Sequence, residues 1–63
     1  MEARVGTLAV GALFDTLLTG RRGVVRAHGP EGTLVELNGQ IRGSFVKTLH
    51  PDVRVRVAGV VTH

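Results

Sequence analysis

The sequence predicts an all-β fold, a small barrel of five short strands in a single domain. Three observations predict it. Short runs rich in Val, Leu and Thr recur along the chain. Turn signals ("TGR", "GPEG", "NG", "HPD") divide them every eight to twelve residues. The run "VRVRV" at Val53–Val57 alternates hydrocarbon and guanidinium with a period of two, as a strand with one wet face requires.

Size sets what supports such a fold. The chain has 63 residues, and a domain of that length buries only about 60% of the surface its unfolded chain exposes. It has no cysteine, so disulfides and thiolate metal sites are excluded. His28, His50 and His63 lack the spacing of a zinc motif, and no cofactor or metal is expected. Self-association is the expected support. No apolar run approaches the roughly 18 residues of a membrane span. The opening "MEARVGTLAVGALF" lacks the layout of a signal peptide, so a soluble, cytoplasmic protein is expected.

The elements follow in order. Residues 1–11 form an N-terminal extension, in which Thr7–Gly11 reads either as a plug or as an added edge strand. A helix over Leu8–Leu18 is the alternative, but Gly11 interrupts it and no strong cap starts it. The predicted strands are Ala12–Leu18, Arg22–His28, Thr33–Asn38, Gln40–Leu49 and Val53–Val57, followed by a tail over residues 58–63. A single 3₁₀ corner at His50–Asp52 precedes the last strand, because Pro51 holds His50 extended and donates nothing to a ladder.

Parity constrains the pairing. Val53, Val55 and Val57 should face inward, with Arg54 and Arg56 outward. Val35 and Leu37 share the inner face of one strand, and Gly23, Val25 and Ala27 that of its neighbour. Matching these faces requires an odd-length loop, with Pro30 in a turn and Gly32 left-handed beside a bulge. A three-residue bulged loop ending at Gly39 should pair Val35 with Ile41 and bring Arg42 near Glu36. Gly23 and Gly43 then fall inside the barrel.

The order of strand, turn, three-stranded meander, corner and final strand resembles the SH3-like small barrel. The stretch "LTGRRGVVRAHGPEGTLVELNG" is similar to the glycine-centred hairpin of KOW-type modules, through Gly20, Gly23, Val25, Gly32 and Val35. KOW modules usually carry more lysine and more net charge than this chain. Peptide-binding SH3 domains grip their ligands with tyrosine and tryptophan, both absent here, so that activity is not carried over. "LAVGALF" with "TLHPDVRVRV" also resembles small bacterial and phage barrel proteins of unknown function.

Enzymatic catalysis is not expected. Ser44 is the only serine and sits on a predicted strand. No nucleophile, base and orienter converge by spacing, and His50 reads as a corner residue bonding backbone. Charge points to binding instead. Eight Lys+Arg face five Asp+Glu, giving a net charge of +3, and seven of the eight cations are arginine, the residue suited to bidentate phosphate contact. Arg21 and Arg22 beside glycines, with Arg26, Arg54 and Arg56 on the outer face, form the candidate nucleic-acid strip. The alternative is a solvated face balanced by Glu31 and Glu36. With both phenylalanines expected inside, base stacking is not anticipated, and contact should fall on phosphates.

A second function class is a homo-oligomeric interaction or structural module. Val24 and Leu34 are apolar on the outer face, and Val60 and Val61 extend beyond the last strand. These four are the candidate subunit interface.

Overall fold

Along Gly32–Asn38 burial alternates as the parity argument requires: Val35 and Leu37 are buried, Leu34 is exposed and Glu36 is half-buried. The same alternation in neighbouring segments folds them into one antiparallel sheet. The computed structural model describes residues 1–39 and 43–60, and of Val60 the backbone alone. Its strands are β1 (Glu2–Arg4), β2 (Ala12–Thr16), β3 (Arg22–Gly29), β4 (Gly32–Asn38), β5 (Ser44–Leu49) and β6 (Arg54–Val60), with a 3₁₀ turn at Val5–Thr7. They form one six-stranded sheet in the order β1-β6-β2-β3-β4-β5. Among the described residues no helix is long and apolar enough to cross a membrane.

The expected all-β fold is present, and where a five-stranded barrel was expected the described residues form six strands in one open sheet. The sixth is β1, which pairs with β6 through Glu2↔Arg56, Ala3↔Val55 and Arg4↔Arg54. The N-terminal extension thus supplies an edge strand, but from residues earlier than Thr7–Gly11. Val5 follows it into the core and is fully buried. Its N–H donates to Val53 O at 2.8 Å, and the Gly6 N–H donates to Pro51 O at 2.9 Å. These bonds dock the segment on the corner. The 3₁₀ turn expected at His50–Asp52 does not form there, and the 3₁₀ turn at Val5–Thr7 was not anticipated. The corner is a single turn closed by Val53 N–H to His50 O at 3.0 Å. There His50 bonds backbone as expected, its Nδ1 accepting from Asp52 N–H at 3.1 Å. β2 ends at Thr16, two residues short of the predicted Leu18, and β6 reaches Val60, so residues 58–60 belong to a strand rather than to a tail.

The core consists of Val5, Ala12, Phe14, Val25, Val35, Leu37 and Val55, with Leu8 and Leu49 packed against it. Phe14 is its largest member, and burying such a side chain contributes about 1.5–3 kcal/mol. Gly23 makes room for it. The register runs Val57–Phe14–Gly23–Leu37–Phe45 across five strands. A Cβ on Gly23 would stand 2.6 Å from Leu37 Cδ2 and 2.7 Å from Phe14 Cζ. The missing side chain thus lets the flanking apolar groups close over this position.

Val25 does pair with Val35, but the extra residue that corrects the parity is not in the loop. Gly29 pairs with Gly32 across a two-residue connection, and the register shifts between Val25 and Ala27. The bulge therefore sits at Arg26. Beyond it the faces swap, so Ala27 is exposed opposite Leu34 rather than inward. Gly32 does adopt positive φ, at 137°.

The β4–β5 connection also differs from expectation. Leu37 pairs with Phe45, and Val35 pairs with Lys47 where Ile41 was expected. The connection is longer than three residues, closed by Gly39 N–H to Gly43 O at 2.6 Å. Gly43 is exposed at its end rather than inside. Ile41 and Arg42 lie outside the described residues. Val55 faces inward as expected and Arg54 and Arg56 face solvent, but Val53 precedes the strand and is 38% exposed.

Candidate functional site: an apolar cleft with a cationic rim

The site begins in the turn between β2 and β3. Thr16 organises it. The Gly20 N–H donates to Thr16 O at 2.9 Å, the Arg21 N–H donates to Thr16 Oγ1 at 2.9 Å, and the Thr16 and Thr19 hydroxyls are bonded at 2.6 Å. Gly20 closes the turn at φ 66°, a conformation costly to a residue with a Cβ. In this turn Leu17 is largely exposed and Leu18 completely exposed.

Opposite this turn stands the edge strand β5. Successive residues alternate faces, so Phe45, Lys47 and Leu49 share the concave face with their partners Leu37, Val35 and Thr33. No strand among the described residues covers this edge. Phe45 consequently remains 39% exposed and Val46, on the other face, 58% exposed. This corrects the expectation that both phenylalanines lie inside: Phe14 does and Phe45 does not.

Between the turn, β5 and the start of β6 lies a cleft of about 560 Å³. Leu37, Phe45, Leu49, Val53 and Val55 give it an apolar lining, and Leu17 and Leu18 overhang it. Arg21, Lys47 and Arg54 also line it, and among the described residues no Asp or Glu does. Arg21 lies over Phe45, with Cζ 5.6 Å from the ring centroid, within cation–π range. Arg54 sits directly opposite Arg4 on β1. Like charges in that position repel, so an anion bridging them would relieve the repulsion.

The predicted arginine strip is divided by this arrangement. Arg22 donates through Nε to Asp15 Oδ1 at 2.6 Å, and this bond first, then the carboxylate's charge, raises the Arg22 pKa. Arg26 donates from Nε and Nη2 to Glu36 Oε1 at 3.0 and 2.7 Å. Ser44 Oγ donates to Glu36 Oε2 at 2.6 Å. The Ser44 bond first, then Arg26, holds the Glu36 pKa below its ordinary value. Arg22 and Arg26 are thus neutralised locally. Among the described residues Arg4, Arg21, Lys47, Arg54 and Arg56 have no ion pair. Arg56 stands in register between Glu2 and Asp15, in a row of alternating charge away from the cleft.

Of the predicted strip, therefore, Arg21 and Arg54 meet at the cleft, while Arg22, Arg26 and Arg56 lie beside carboxylates. Sequence reasoning missed Phe45 and Lys47. Their signal was the i, i+2, i+4 spacing in "FVKTL", which puts Phe45, Lys47 and Leu49 on one face once the strand is known to start at Ser44. Of the predicted interface, Val24 and Leu34 do share the convex face. They flank Glu36, since Val24 pairs with it and Leu34 lies two residues before it on β4. The Arg26–Glu36–Ser44 bonds thus interrupt that apolar area. Val61 and the side chain of Val60 lie outside the described residues.

No protein-family model, no curated protein and no solved structure matches the chain.

Proposed function

We propose that the protein is a non-catalytic binding module whose ligand is single-stranded nucleic acid, held without sequence preference in the cleft beside β5. One observation carries the reading: a partly exposed aromatic ring, Phe45, lies in an apolar cleft whose charged lining among the described residues consists of the cations Arg21, Lys47 and Arg54. An unstacked base has the flat apolar surface that such a ring accepts, and its flanking phosphates the charge that the rim accepts. A duplex keeps its bases stacked inside and would meet the rim alone.

The architecture supports the same reading at a coarser level. Strands β6-β2-β3-β4-β5 stand in the order of an SH3-like meander whose last strand returns beside its first. We infer a small barrel of that type left open along β5, with the cleft as its opening.

The test is fluorescence anisotropy with a labelled oligothymidylate and a duplex of equal length, across a salt series. The expected result is tighter binding of the single strand, with log affinity falling linearly in log salt. Phe45→Ala should weaken it by about tenfold or more, since stacking contributes roughly 1–3 kcal/mol per base. Absence of binding at low salt, or equal loss on duplex and single strand, would overturn the proposal.

The second function class, self-association, is favoured by a different observation, the uncovered β5 edge.

A further inference from the structure

Strand β5 ends the sheet, and among the described residues nothing pairs with its outer side. Five of its six residues are exposed and Leu49 is half-buried. β1, at the other edge, has only three residues. A free, apolar edge of this kind is a template for another strand. We propose that its occupant is the β5 strand of a second copy of this chain, paired antiparallel about a two-fold axis through Val46. This does not rest on the nucleic-acid reading.

The residues select the register. Directly opposed residues in an antiparallel pair project to the same side of the sheet. An axis between Val46 and Lys47 would oppose the convex-face Val46 to the concave-face Lys47 and so mismatch the two sheets. An axis through Lys47 would oppose two lysines, which repel. An axis through Phe45 would leave only residues 44–46 of the strand paired. The axis through Val46 avoids all three. It pairs Val46 with its own copy on the convex face and Ser44 with the partner's Thr48. On the concave face it sets each Phe45 against the partner's Lys47.

That last pairing identifies the occupant. Lys47 is the only charged residue of β5, and an inward-pointing charge ordinarily guards an edge against association. In this register the charge meets an aromatic ring, an attractive partner, and never its own copy. The strand therefore complements itself in one register and opposes itself in the neighbouring one. The two concave faces become continuous through Phe45 and Lys47, so two clefts would form one groove. Isologous two-fold pairing of this kind closes on itself and does not propagate into fibres.

Sedimentation equilibrium of the intact chain, from micromolar to millimolar concentration, reads the association. A monomer–dimer equilibrium is expected, with no larger species. Val46→Lys puts like charges on the axis and should weaken the dimer by about tenfold or more. Circular dichroism on the same sample checks that the sheet persists. The natural chain has no cysteine, so single-cysteine variants report the register without background. Val46→Cys should cross-link to itself on mild oxidation. Ser44→Cys and Thr48→Cys should each do so poorly alone and readily when mixed. A strict monomer at millimolar concentration would overturn the proposal. So would a dimer that Val46→Lys leaves intact, or one in which Val46→Cys fails to cross-link. Loss of nucleic-acid binding with the dimer retained would count against the cleft alone.

Discussion

The guanidinium of Arg21 lies 5.6 Å from the centroid of the Phe45 ring, joining the β2–β3 turn to the edge strand across the mouth of the cleft. The contact leaves part of the ring open to solvent while fixing a cation beside it. Arg21→Ala should lower the salt slope of single-strand binding by roughly one unit, as loss of one phosphate contact does. Arg22→Ala should change the slope far less, because its guanidinium is already bonded to Asp15. Anisotropy titrations of the two variants make the comparison, and equal slopes would remove Arg21 from the site.

Gly23 has no space for a side chain. A methyl there would meet Phe14 and Leu37 well inside contact distance. Overpacking of this kind costs about 1–3 kcal/mol, a large share of what so small a domain holds in reserve. Gly23→Ala should lower the urea midpoint sharply. Gly43→Ala has open space around it and meets only the strain of its positive φ, so it should cost less. A reversed order would mean that the β2–β3–β4 packing is wrong.

Val5 is fully buried although it precedes the main meander. Val5→Ala deletes two methyl groups from the core, with a cost of about 1.5–3 kcal/mol including the cavity left behind. Removing residues 1–6 should destabilise further, since it also strips β1 from β6 and frees the corner at Pro51. Thermal melts followed by circular dichroism would show both. An unchanged melting temperature would mean that the extension contributes nothing to the fold.

Glu36 gives the fold an acid-sensitive bond cluster. Its folded pKa lies below the ordinary glutamate value. Its contribution to stability is therefore complete above that value, near pH 4.3. It is lost as pH falls from there through the depressed folded pKa. Ser44→Ala removes the largest cause of the depression and should move the Glu36 titration upward. A carboxyl-detected NMR titration of the two proteins reads this directly. Identical Glu36 curves would show that the Ser44 bond does not form in solution.

Much of the sheet was legible in the chain. The alternation of Val55 with Arg54 and Arg56, and of Val35 and Leu37 with Leu34 and Glu36, assigned their faces correctly, because burying guanidinium or carboxylate without a partner is costly. Parity also placed Gly23 inside, but not the reason for which the position stays bare, which is that the Phe14 and Leu37 side chains close over it. The position of the bulge was not legible. Parity demands one extra residue between Val25 and Val35 but is indifferent to whether it lies at Arg26 or in the loop, and the glycines of "HGPEG" pointed to the loop. The β4–β5 register failed in a similar way. Residues 40–49 suit a strand at either parity, since both faces of β5 are largely exposed and burial offers no constraint.

The candidate site follows that division. By itself the chain determined an all-β sheet, which side chains turn inward on β4 and β6, and an excess of arginine. Only the tertiary structure decided how those arginines are used. Asp15 and Glu36 are distant from Arg22 and Arg26 in sequence and reach them across strand pairs, while Arg21 and Arg54 line a cleft built from four separate segments. Alternation is a local property that every strand carries alone. Charge pairing between strands depends on register, and register is set by bulges and loop lengths that no single strand encodes.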